Sequence, residues 1–250
     1  MKGNDKLTKP ILIGHRGFCG SYPENTLISF KKAIEMGVSA VEFDVHLTKD
    51  GVPVISHDGK IGRCCDHTGV INELTFDEIR TYDFGKWKGE QFAGTQIPTL
   101  QEVLDLILSK KPDIFIACEV KDPNPKCAEI CYEELKKRNK LQSCSFISFI
   151  IEQLHHLHEI DPNTFLHGFR ECDLANFIPG SYKIMKRIGI HISKVVKEEV
   201  KAFNDMGIEI DSWGIDDEAT LEKALDCGVV TLTSNKLDVT VPLMKQKGLM

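Results

Sequence analysis

No stretch of the 250-residue chain approaches the roughly 18 uninterrupted apolar residues of a membrane span, so no integral membrane association is expected. The nine cysteines are odd in number, include the adjacent Cys64 and Cys65, and contain no Cys-x-x-Cys spacing. That excludes the usual signs of a disulfide framework or a zinc ribbon and fits a reducing compartment. Positive charge is not in excess either: 31 Lys and Arg against 37 Asp and Glu leave a net charge of −6. Such a balance argues against a nucleic-acid-binding surface, while a small anionic substrate needs only a local cationic site. Met1 to Pro10 is polar and charged without an apolar core, so no secretory signal is read there and a soluble, cytoplasmic protein is expected. No repeat, low-complexity tract or linker divides residues 1–250, which are read as one domain. The oligomeric state is left open.

What is present is an ordinary globular composition, 42% hydrophobic and 27% charged. Short apolar, β-rich runs alternate with amphipathic segments, the pattern of βα units around a parallel sheet. Strands are expected at 11–15, 40–46, 52–56, 114–120, 145–149, 164–168, 188–193, 208–213 and 229–233. That is one more than a closed barrel requires, so one of the two near residue 50 is expected to be a hairpin arm or a short strand. Helices are expected at 24–36, 99–110, 126–138, 150–159, 195–206, 217–226 and 239–247, some opening with a capping pattern such as Ser21-x-x-Glu24 or Thr99-x-x-Glu102. The fold class is α/β, a (β/α)₈ TIM barrel, for which about 250 residues is typical. Residues 59–96 break the alternation and are read as an insertion beside the barrel mouth, with Thr75-x-x-Glu78 opening a short helix.

Polar residues collect where the apolar strands end. His15-Arg16-Gly17 closes the first strand, where barrel enzymes keep their catalytic groups, and Arg16 could clamp a phosphate bidentately. Glu42 and Asp44 are two apart, so both carboxylates share one face of a strand. Two acids aimed at one lumen repel unless a cation holds them. Glu119 and Lys121 repeat the spacing on another strand, and His57 in Ser56-His57-Asp58 adds a second imidazole. Three carboxylates without a nearby cysteine make an all-oxygen site suited to Mg²⁺, Ca²⁺ or Mn²⁺. Each piece also has a bland reading, as a structural histidine, a solvated strand face or a surface ion pair worth less than about 1 kcal/mol. Their joint position favours function, because burying uncompensated charges there costs several kcal/mol each. The neighbouring His155, His156 and His158 are read as a solvated helix face, and His46 as a residue at the rim of the acidic pair.

His15-Arg16-Gly17, Pro23-Glu24-Asn25-Thr26, Glu42-Phe43-Asp44, His57-Asp58, Glu119-Val120-Lys121 and Trp213 occur in the order and spacing of one motif set. With Leu47-Thr48-Lys49-Asp50-Gly51 and Ile97-Pro98-Thr99-Leu100-Gln101-Glu102, the chain resembles the glycerophosphodiester phosphodiesterase family over nearly its whole length. After Trp213 it reads Gly214-Ile215-Asp216 where the family more often has Thr, and Thr233-Ser234-Asn235-Lys236 lacks a proline often found there. The resemblance implies that Glu42, Asp44 and Glu119 ligate one divalent cation and that His15 and His57 are an acid/base pair. It further implies phosphate or substrate contacts from Arg16, Lys121, Asn25 and Trp213, and hydrolysis of a small glycerophosphodiester to glycerol 3-phosphate and an alcohol. Asn25 reads equally well as part of a helix opening, and Trp213 as an apolar plug. Two other functions stay open: lysophospholipase D activity, with Phe84, Trp87 and Phe92 as an apolar groove, and a non-catalytic barrel that binds phosphoryl ligands.

Overall fold

The computed structural model describes residues 9–250, so the signal reading falls on residues that lie mostly outside it. Eight parallel strands close into a barrel: β1 (Ile11–Gly14), β2 (Ala40–Leu47), β6 (Phe115–Val120), β7 (Cys144–Ile147), β8 (Leu166–Phe169), β9 (Arg187–His191), β10 (Glu209–Trp213) and β11 (Thr231–Ser234). Closure is made by β1, which pairs with β11 from Ile11↔Thr231 to Gly14↔Ser234 and with β2 at Ile13↔Ala40 and Gly14↔Val41. The ninth sequence run is β3 (Pro53–Ile55), which turns back antiparallel on β2 as Val45↔Ile55 and Leu47↔Pro53. It is the hairpin arm.

Helices α1 (Leu27–Met36), α3 (Leu100–Lys110), α4 (Pro125–Lys137), α5 (Ile151–Ile160), α6 (Lys197–Asp205), α7 (Glu218–Asp226) and α8 (Leu237–Gln246) cover the outside. Their apolar faces meet the outward residues of the strands. On β2, Val41, Phe43 and Val45 join the large core under the helices, whereas Ala40 belongs to a smaller cluster with Ile13, Ala117, Ile147 and Phe169 inside the barrel. A strand buried on both faces therefore carries its polar residues into the lumen, with the period of two that its pleat imposes. Between β8 and β9 the crossover is two 3₁₀ turns, Glu171–Asp173 and Ser181–Lys183, rather than an α-helix.

Two capping expectations are met and one is not. Thr99 and Glu102 form a reciprocal capping box at α3, as Thr75 and Glu78 do at α2 (Phe76–Ile79). Ser21, however, caps nothing: α1 starts at Leu27 behind Thr26, and Pro23-Glu24-Asn25 is loop, with Asn25 at φ 58°. The physical reason is that a left-handed Asn25 cannot continue a helix. The segment expected as an insertion holds β4 (Lys60–Ile61), β5 (Gly69–Val70) and α2, gathered on a separate core of Val54, Ile61, Cys65, Ile71, Ile79, Phe84 and Ile97.

At the N-terminal end of the barrel, the fully buried Arg187 lies between the Phe115 and Phe165 rings, 5.7 and 4.8 Å from their centroids, and reaches Glu209 Oε2 at 2.7 Å. The opposite, C-terminal end carries the cavity described next.

Candidate active site

Three strands, β1, β2 and β6, supply one acidic cluster and its cations. Glu42 and Asp44 from β2 and Glu119 from β6 are all buried, and a carboxylate oxygen of each lies within 4.8 Å of the others. Register explains the meeting, because Asp44 pairs directly with Glu119 across the β2–β6 ladder. Burial, Asp44 and Glu119 together push the Glu42 carboxyl well above its usual range. Burial pushes Glu119 to about 7, against the pull of Lys121. Asp44 goes the other way, to about 2: burial would raise it, but Lys121, Arg16, His57 and a 2.7 Å hydrogen bond from Asn25 Nδ2 outweigh that. Among the described residues Glu42 Oε1 has no hydrogen-bond partner. Asp44 Oδ1 and Glu119 Oε1 have only the Lys121 ammonium, at 3.5 and 2.7 Å and outside hydrogen-bond geometry. Three crowded, under-satisfied oxygens form a set compatible with a divalent metal.

The two histidines flank this cluster. His15 follows β1; its Nδ1 is 2.6 Å from Asn235 Oδ1, which turns Nε2 towards Glu42 Oε2 at 3.9 Å. Burial and the neighbouring Arg16 lower its pKa to about 4. His57 follows β3, and its Nδ1 meets Asp58 Oδ1 at 2.7 Å. Burial lowers its pKa too, with Asp44 opposing. In both rings Nδ1 is engaged, which fixes ring orientation, and among the described residues Nε2 makes no hydrogen bond.

Arg16 sits at φ 49°, which aims its backbone N–H at Glu42 Oε2, 2.8 Å away, while its guanidinium reaches Glu24 at 2.9 Å and Asp44 at 3.4 Å. The kink depends on Gly17, at φ 82°: a Cβ there would stand 2.5 Å from Ser29 Oγ and 2.7 Å from the Ser29 backbone carbon. Asn25 spends its amide on Asp44, so it braces a carboxylate beneath the cavity. Trp213 lines the cavity edge-on to Phe169 and Phe149, at 5.8 and 6.5 Å. His15, Arg16, Glu42, His57, Glu119, Lys121 and Trp213 thus surround a single cavity of about 180 Å³.

Other sequence readings fall outward. His155 bonds Ser181 and His156 meets Glu129, and among the described residues the acidic trio is the one cluster with metal-ligand spacing. His46 braces His57 by a 3.3 Å contact to its carbonyl. Phe84 is buried in the insertion core, Phe92 packs edge-on against Tyr22, and neither they nor Trp87 line the cavity.

Sequence reasoning missed Arg63, which joins Glu24 to Asp58, and the partner of His15, Asn235. It also missed His167, Asp211 and Thr233 on the cavity floor. Asp211 was within reach of the rule that found Glu42 and Asp44, since it lies two residues before Trp213 on β10 and so shares its face. Nothing in the sequence relates Arg63 to Glu24.

A model of the glycerophosphoryl diester phosphodiesterase family matches residues 15–239. The chain is similar to a glycerophosphodiester phosphodiesterase of Caldanaerobacter subterraneus, 29% identical over 96% of this chain and 100% of that one. A Bacillus subtilis enzyme of the same name is 28% identical over 95% of this chain and 88% of its own. Among solved structures, an Oleispira antarctica phosphodiesterase in complex with the product sn-glycerol-3-phosphate aligns with TM-score 0.82 and 26% identity, over 94% of this chain and 96% of that one.

Proposed function

The chain belongs to the glycerophosphoryl diester phosphodiesterase family, and we propose that it hydrolyses a glycerophosphodiester to glycerol 3-phosphate and an alcohol with two histidines beside a divalent cation. The observation that carries this reading is one cavity at the C-terminal end of a barrel, lined by two carboxylates of the buried acidic trio, two oriented imidazoles and two cationic side chains, with the third carboxylate, Asp44, within 4.8 Å of the other two. Glu42, Asp44 and Glu119 would hold the ion, Mg²⁺ or Ca²⁺ with Mn²⁺ also suited to oxygen ligands. When bound, it supplies electrostatic stabilisation of the phosphoryl oxygens as charge builds on them.

The chain's own groups do the rest. Arg16 and Lys121 place positive charge on the same wall of the cavity and receive the anionic diester. Of His15 and His57, one accepts the proton of the attacking hydroxyl or water at Nε2 and the other donates from Nε2 to the departing alcohol. The held Nδ1 atoms keep both rings aimed at the cavity. Trp213, Phe149 and Phe169 form the apolar side, against which the carbon skeleton of the glycerol rests. Lysophospholipid cleavage and a binding-only barrel gain no support, because the insertion aromatics stand away from the cavity and all five acid and imidazole groups are in place.

The test is release of glycerol 3-phosphate from glycerophosphocholine by the purified protein with Mg²⁺, with Ca²⁺ and with EDTA, beside a His15→Ala control. Metal-dependent release that the control lacks supports the reading; absence of release under every condition would overturn it.

A further inference from the structure

Asp211, on β10, lines the cavity that Arg16 and Lys121 also line. It is buried, and its Oδ1 accepts a 2.9 Å hydrogen bond from Thr233 Oγ1 on the neighbouring strand. Among the described residues its Oδ2 accepts none; the nearest ring atom is His167 Nε2, at 3.9 Å. His167 is itself 1% exposed, and among the described residues neither of its ring nitrogens has a hydrogen-bond partner. The two rings pack directly on the backbone of Gly189, where a Cβ would stand 2.7 Å from the Phe169 ring and 3.1 Å from His167 Nε2, so only glycine lets His167 sit where it does.

Buried polar groups left unpaired cost free energy, and an imidazole with both nitrogens unbonded beside a carboxylate oxygen that accepts nothing, both lining one cavity, marks a place for a polar ligand atom. The gap has a chemical signature. A hydroxyl oxygen about 2.8 Å from each atom spans 3.9 Å, accepting from the imidazole N–H while donating to the carboxylate. A phosphate or carboxylate would be repelled by Asp211. The walls of the same cavity, Ile147, Phe169 and Trp213, accept carbon.

Resting on the phosphodiesterase reading, we infer that Asp211, held by Thr233 and facing His167, is a hydroxyl-binding subsite that recognises the glycerol moiety of the phosphoester. Phosphate then lies at the cationic wall, the carbon chain passes the aromatic side, and a glycerol hydroxyl closes the gap between Asp211 and His167. The subsite makes Asp211 and His167 specificity-determining residues for glycerol over simple alkyl phosphoesters.

Competitive inhibition of glycerophosphocholine hydrolysis by sn-glycerol 3-phosphate and by n-propyl phosphate, which has the same carbon count without free hydroxyls, tests it. The wild type is expected to bind glycerol 3-phosphate at least about tenfold more tightly, since a site with buried hydrogen-bonding groups rejects an analogue lacking their partner. Asp211→Leu should abolish that preference while keeping affinity for n-propyl phosphate, and Asp211→Asn, whose amide oxygen still accepts, should keep part of it. An unchanged preference in Asp211→Leu, or equal weakening of both ligands, would overturn the subsite while leaving the hydrolase intact. If Asp211→Leu lost only diesters whose departing alcohol carries the hydroxyls, the glycerol assignment would fall. If the wild type cleaves no diester and binds neither phosphoester, the phosphodiesterase reading fails first and the subsite with it.

Discussion

Arg63 holds both carboxylate oxygens of Glu24, at 2.9 and 2.7 Å, from a loop of the insertion. Its Nε reaches Asp58 Oδ2 at 2.6 Å, so one guanidinium links the carboxylate that anchors Arg16 to the carboxylate that orients His57. Arg63→Ala should therefore lower kcat/KM by about ten- to a hundredfold, the usual effect of removing a support behind an active group. Arg63→Lys should recover only part, because an ammonium cannot make the forked contact. Steady-state kinetics of both variants and of the Arg63→Ala, Glu24→Gln double variant check it; fully additive losses would mean that the two residues do not act together.

His15→Ala and His57→Ala should each cost at least about a hundredfold in kcat, the lower range for a positioned proton-transfer group. The double variant should be little worse than the poorer single one, since the proposed mechanism places both in one proton-transfer sequence. Multiplicative losses in kcat would argue for independent roles.

Removal of metal should abolish turnover, and Mg²⁺ or Ca²⁺ should raise the thermal midpoint in a concentration-dependent way, because an ion that binds only the folded chain stabilises it. Glu42→Gln should remove activity yet leave the metal-free protein at least as stable as wild type, since it deletes a buried carboxylate that burial and two acidic neighbours already disfavour. Calorimetry with and without metal separates these effects. Full activity after exhaustive chelation would count against the cation.

The Asp211 carboxyl is raised from 3.8 to about 6, mainly by burial, with Arg187 and Thr233 opposing. The folded protein thus keeps a proton that the unfolded chain releases near pH 4. Linkage then makes stability fall as pH rises through about 4 to 6 and level off above, by at most roughly 3 kcal/mol for this group. Asp211→Asn has no such titration, so relative to wild type it should gain stability across that window. Chemical denaturation of both proteins at pH 4 and pH 7 measures it, and a constant difference would refute the assignment.

Thr99→Ala removes the α3 capping box and should cost about 1 kcal/mol of stability. The catalytic rate should not change, because Thr99 does not line the cavity.

How much of this was legible in the sequence depended on whether a signal was local. Strand positions were readable because apolar runs and turn residues sit side by side, and strand number alone said that one of the two runs near residue 50 lay outside the barrel, while which of them it was came only from the antiparallel pairing of β3 with β2. Glu42 with Asp44, and Glu119 with Lys121, were found through a spacing of two on one strand. The start of α1 was misplaced because Ser21-x-x-Glu24 imitates a cap, whereas the left-handed Asn25 that forbids it is set by its contact with Asp44, 19 residues away. Partnerships such as Arg63 with Glu24, or His15 with Asn235 across 220 residues, leave no local trace.

The buried Arg187, wedged between two phenylalanine rings and tied to Glu209, stoppers the far end of the barrel. A vessel closed below has one doorway. On the proposed function, reactant would enter and both fragments would leave by the C-terminal mouth, so product left in the cavity would compete with the next diester for the same groups.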